Sequence, residues 1–83
     1  MATQKFYVSM TDTFMSGWGM AKNKTNKYVV ECDTYEQAVT IERNAKQRSE
    51  MKYVNICGKK PSYGSNYLMS LNHYDDLGDV WKK

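Results

Sequence analysis

Few side chains in this chain can do chemistry, and their spacing argues against catalysis. His73 is the single imidazole, with Asp75, Asp76 and Asp79 close behind it. An imidazole beside carboxylates can serve as a general base or hold a cation. A metal centre built on nitrogen and sulfur needs about four ligands, however. Cys32 and Cys57 have neither CxxC spacing nor a histidine close by in sequence. A Cys–His catalytic pair with His73 lacks any motif spacing. There is no glycine-rich phosphate loop and no serine elbow. The expectation is a non-enzyme with no metal and no cofactor. His73 then reads as a helix cap within a surface-charge cluster, and the cysteines as half-buried strand residues acting as small hydrophobes.

Recognition chemistry is better represented. The stretch TDTFMSGWGMAKNK, residues 11–24, places Phe14, Met15, Trp18 and Met20 around Gly17 and Gly19, and closes on Lys22 and Lys24. A connection of about fifteen residues is long for a compact domain, where about four to six is usual. Two readings compete. The large side chains could fold back and plug the open end of the core. Alternatively they could be presented to a protein partner, with Trp18 as anchor, the methionines adapting to the surface and the lysines steering approach. Glycines on both sides of Trp18 would let the backbone turn sharply. The leading expectation is a protein partner held by Phe14, Met15, Trp18, Met20, Lys22 and Lys24. The alternative is a nucleic-acid surface made by Tyr7, Lys27, Arg48, Lys52 and Tyr53, since aromatics interleaved with cations can stack bases and hold phosphates.

The elements that must position these residues follow from periodicity. KFYVSM, residues 5–10, alternates with Phe6, Val8 and Met10 on one face, and NKYVVEC, 26–32, does the same with Tyr28, Val30 and Cys32. The pattern then changes. Tyr35, Ala38, Ile41 and Ala45 recur at three- and four-residue spacing, which predicts a helix. Asp33 with Glu36, or Thr34 with Gln37, would make a capping box at its start. MKYVNIC, 51–57, predicts a third strand with Val54 and Ile56 inward, and NYLMSL, 66–71, a fourth with Tyr67, Met69 and Leu71 on one face. GKKPSYGS between them reads as a turn. Residues 72–83 read as a short C-terminal helix capped by Asn72, with Leu77, Val80 and Trp81 on one side and Gly78 weakening it.

The order β-β-α-β-β predicts one two-layer α+β domain over residues 1–83, a four-stranded sheet with one main helix on one face. If successive elements alternate in direction, the helix counted among them, the 11–25 loop shares one end of the molecule with Lys27, Arg48, Lys52, Lys82 and Lys83. Lys59 and Lys60 would lie at the other end.

Totals set the remaining limits. Seven Tyr, two Trp and two Phe within 41% hydrophobic content, with only one Pro, point to a folded domain. A net charge of +3 is too mild to mark a dedicated nucleic-acid binder. No apolar run is long enough to span a membrane and no signal peptide opens the chain, so the expectation is a cytoplasmic protein; a homodimer that buries its apolar loop is a further possibility.

The blocks TDTFMSGWGMAKNKTNK, CDTYEQA, NAKQRSEMKYVNIC and KKP together resemble a family of small uncharacterised proteins carried by bacteriophages and by integrative or conjugative elements. The resemblance covers residues 5–63, rests mainly on FMSGWG, and does not extend to the C-terminal twenty residues. It implies an accessory role in a mobile element within a bacterial cytoplasm, and carries no catalytic or binding residues with it.

Overall fold

The computed structural model describes residues 4–14 and 16–82, apart from the side chain of Met20. Strands β1 (Phe6–Asp12), β2 (Thr25–Cys32), β3 (Met51–Cys57) and β4 (Tyr67–His73) form one mixed sheet, with the helix α1 (Tyr35–Lys46) between β2 and β3 in sequence. This is the expected α+β architecture. The order across the sheet is β3-β1-β2-β4. β1 lies antiparallel to both β2 and β3, so β2-α1-β3 is a crossover that straddles β1.

The helix covers one face of the sheet. Of the residues its spacing singled out, Ala38, Ile41 and Ala45 are fully buried against Val8, Met10, Val30 and Cys32, whereas Tyr35, in the first turn, is 57% exposed and only edges onto Phe6. Of the two caps open to it, the chain uses the second: Gln37 N–H donates to Thr34 Oγ1 at 3.1 Å, and Asp33 N–H donates to Gln37 Oε1 at 2.8 Å. The Asp33 carboxylate is thereby free for other work. Burial pushes the Cys32 thiol up to about 11, so it is an inert core group. Cys57 lies beside Ser9, on the opposite face of the sheet from Cys32. Both thiols are free.

The fourth strand departs from the expected topology. β4 runs parallel to β2, pairing Tyr67 with Thr25 and His73 with Glu31, whereas elements that alternate in direction, the helix included, would make it antiparallel. β3 and β4 occupy opposite edges and run in the same direction. Residues 58–66 must climb the whole sheet while crossing it, a diagonal of about 27 Å for strands about 4.8 Å apart and about 23 Å long. The available chain reaches about 33 Å, so most of it runs extended, before a turn closed by Tyr67 N–H on the Gly64 carbonyl at 3.1 Å. What reads as a turn is a strap. Its Tyr63 reaches Lys27 on the face opposite the helix, and on that face Val29 is fully buried and Tyr7 is only 9% exposed.

The expected C-terminal helix is also replaced. Two separate 3-10 turns, Tyr74–Asp76 and Asp79–Trp81, are divided by extended backbone at Leu77 and Gly78. The cap is His73, not Asn72: its Nδ1 accepts from Asp75 N–H at 3.2 Å. The segment nevertheless returns Trp81 to the core. Its ring stacks on Tyr28 at 5.7 Å, Arg48 lies 4.1 Å from its centroid, and its carbonyl accepts from Asn44 Nδ2 at 2.7 Å. Among the described residues, no helix is long and apolar enough to cross a membrane.

Candidate functional site

The loop between β1 and β2 is built from its ends inward. At the close of β1, Asp12 is 7% exposed. Its Oδ1 accepts from Phe14 N–H at 3.0 Å, and its carbonyl accepts from Ser16 N–H at 3.1 Å and Ser16 Oγ at 2.7 Å. Ser16 Oγ in turn accepts from Asn26 N–H at 3.0 Å, tying the two strands together at the loop's base. Thr13 donates through both N–H and Oγ1 to the Glu50 carbonyl, at 2.8 and 2.7 Å, which fixes the loop to the start of β3.

The distal half is just as ordered. Gly17 N–H is shared between the carbonyls of Ala21 and Lys24, at 3.1 and 3.0 Å. A 3-10 turn, Gly19–Ala21, follows, and Ala21 is 2% exposed. Gly17 and Gly19 have φ of +85° and +55°. A Cβ at either would meet nothing within 4 Å, so these positions need glycine for their backbone conformation and not for space. Asn23, at φ +64°, is a residue type that tolerates the same region.

Against this bonded scaffold the two aromatic rings point outward. Phe14 is 73% exposed and Trp18 72%. Lys22 and Lys24 are exposed on the same loop. Met15 lies outside the described residues, as does the Met20 side chain. The plug reading of the opening stretch is therefore replaced: Trp81, not Trp18, closes the core.

The alternative residue set is divided by the fold. Tyr7 is covered, and its hydroxyl donates to Glu31 Oε2 at 3.1 Å; burial, then Glu31, raises its pKa. Arg48 sits on the helix side over Trp81 and 3.7 Å from Glu50. Lys27, Lys52 and Tyr53 share the strap face with Tyr7, which is covered there. There Lys27 Nζ donates to Thr11 Oγ1 at 2.6 Å and lies 5.5–5.9 Å from the ring centroids of Tyr53, Tyr63 and Tyr67. One ammonium thus ties β2 to β1, β3, β4 and the strap. Sequence spacing could not reveal Tyr63 and Tyr67 at this place, because the strap that brings them there is a long-range crossing.

Of the lysines expected at the loop's end, Lys82 lies 5.1 Å from the ring of Tyr74, the residue after β4, while its neighbour Trp81 lies under Arg48. β4 itself finishes at the end of the sheet far from the loop. Lys83 is outside the described residues.

At that far end, Lys5 pairs with Asp33 at 2.5 Å, and His73 Nε2 approaches Asp33 Oδ1 at 3.3 Å. The amide at Nδ1 places the ring proton on Nε2, which donates to the carboxylate. Asp33, His73 and Asp75 do bring ligand atoms within 4.8 Å of one another. Asp33 is already engaged by Lys5 and His73, which hold its carboxyl below the usual range. Both ring nitrogens of His73 are likewise occupied.

Fold and loop together define a small α+β protein that presents an aromatic loop from one end of its sheet. Comparison with protein families, with characterised proteins and with solved structures finds no match for this chain.

Proposed function

We propose that this chain is a non-enzymatic binding protein that engages a protein partner through its 13–24 loop, with Trp18 and Phe14 as anchors and Lys22 and Lys24 at the rim. The carrying observation is the exposure of two large rings, 73% and 72%, on a backbone bonded at both ends and through its middle. Placing such rings in water is unfavourable, and a preorganised loop loses little entropy on binding. Aromatic anchors ringed by cations suit an acidic protein surface with an apolar pocket. The resemblance of the FMSGWG block to proteins of phages and mobile elements suggests a bacterial partner, from the host or from the element itself.

The nucleic-acid reading is the weaker one. Of its five residues, Arg48 lies on the helix side and Tyr7 is covered, and the Lys27 ammonium is committed to Thr11 and three rings.

The test is capture from a bacterial lysate by wild type and by Trp18→Ala. The Trp18 ring is 72% exposed, so the variant should melt with the wild type. A hot-spot tryptophan contributes about 2 kcal/mol or more, which is about a thirty-fold loss of affinity. Equal capture by both proteins would remove Trp18 from the interface, and an unfolded variant would return it to the core.

A further inference from the structure

We infer that the outer edge of β4 is the pairing edge for a second copy of this chain, giving a two-fold dimer with a continuous eight-stranded sheet. The hydrogen-bond phase shows which groups are available. Thr25 N–H donates to the Asn66 carbonyl at 3.1 Å. With the parallel register Thr25–Tyr67 through Glu31–His73, residues 66, 68, 70 and 72 therefore bond inward to β2. Tyr67, Met69 and Leu71 direct their amides and carbonyls outward, while the His73 carbonyl opens the 3-10 turn Tyr74–Asp76. Among the described residues, the one bond made on that side is Tyr67 N–H to the Gly64 carbonyl, 3.1 Å.

The two edges of the sheet are treated differently. β3 carries a bulge where its register to β1 shifts, with Tyr53 at φ +55° and Lys52 beside it. Bulges and lysines are the usual means of keeping an edge from pairing. β4, YLMSLNH, has no bulge, lysine, proline, glycine or carboxylate over its seven residues. Its apolar side chains are partly open, Tyr67 at 41% and Leu71 at 39%.

The strand is also complementary to itself. Antiparallel pairing about a two-fold at Ser70 sets Met69 opposite Leu71 of the second copy and Tyr67 opposite His73, so every outward residue meets an outward residue. No like charges face each other. Met69 and Leu71 of both copies form one apolar ladder on the strap face, which is the isologous arrangement of a two-fold dimer. The remaining pairs, Leu68 with Asn72 and Ser70 with itself, fall at positions without interstrand hydrogen bonds, where Cα atoms approach to about 4.5 Å.

This register sets the test. Light scattering should give twice the 9.7 kDa chain mass at micromolar concentration. Leu71→Lys should halve it with an unchanged circular dichroism spectrum. Leu71→Pro should do the same, because it removes an outward amide and leaves the β2 ladder intact. In a Cys57→Ser background, Ser70→Cys should oxidise to a disulfide-linked dimer, the approach of residue 70 to its mate matching disulfide geometry. Asn72→Cys alone should not. A wild type that stays monomeric, a dimer that survives Leu71→Lys and Leu71→Pro, or one that dissociates on Trp18→Ala would each overturn the proposal. Cross-linking through position 70 supports it even if the Leu71 variants fail to fold.

Discussion

Tyr53 is the residue whose conformation and chemistry disagree most. It occupies the left-handed region at φ +55°, where a Cβ costs about 1–2 kcal/mol. It sits there because β3 inserts an extra residue opposite Met10, between the Ser9–Asn55 and Thr11–Lys52 pairs. Bulges of this kind normally place glycine at that position. In an ordinary strand, glycine is less stable than alanine by about 0.5–1 kcal/mol. At residue 53 the order should invert. Tyr53→Ala keeps the left-handed penalty and loses the ring, whereas Tyr53→Gly removes the penalty and bears only the larger chain entropy. The net is about 1 kcal/mol in favour of glycine, or about 4–8 °C in Tm for a domain of this size. Thermal melts of the two variants, followed by circular dichroism, measure it directly. The ring's own contribution cancels between them, since both lack it. An alanine variant as stable as the glycine variant, or more so, would refute the assignment of strain at this residue.

Two other perturbations follow from the ionic contacts. Asp33 titrates below its ordinary value, chiefly through its hydrogen bond to Lys5 and then through His73. Its contribution to stability is therefore present above the unfolded carboxylate pKa of about 3.9 and is lost as pH falls through the lower folded value; urea midpoints should show a gap between wild type and Asp33→Asn at pH 7 that narrows by pH 3, and a pH-independent gap would contradict the pairing. Lys27→Met preserves much of the stem and deletes the ammonium, giving up the Thr11 bond and three ring contacts for a loss of about 1–2 kcal/mol in urea denaturation. An unchanged midpoint would mean that the lysine is not the tie between the strap and the sheet.

The sequence was most legible where structure is local. Alternation at Phe6, Val8 and Met10, helical spacing at Ala38, Ile41 and Ala45, and the Thr34–Gln37 cap each depend on neighbours within about one turn or one strand. The strap was illegible for a matching reason. Gly58, Pro61 and Gly64 suit a tight turn and an extended crossing equally well, and only the burial available on the second sheet face decides between them. The same decision reverses β4, and with it the placement of the C-terminal segment. The two tryptophans show the limit of composition. Trp18 and Trp81 are the same residue type in aromatic-poor surroundings, but Trp81 has Tyr28 and Arg48 to stack with, while Trp18 is held outward by two glycines in left-handed conformations.

Loop and edge strand also constrain each other. The 3-10 turn of the loop packs against β4, at the end where Thr25 N–H meets Asn66. Antiparallel pairing about Ser70 would therefore send the two Trp18 loops to opposite ends of the combined sheet, one beside each copy's Tyr67. Neither loop would cover the other, and neither would be buried by the dimer. If Trp18 anchors a partner and the β4 edge pairs, as proposed, one two-fold axis satisfies both, and each copy would keep its own partner site. A dimer formed through the loops instead would bury Trp18 and leave the unguarded β4 edge open in both copies. That arrangement would satisfy the apolar rings while leaving the outward backbone groups of Met69 and Leu71 without protein partners.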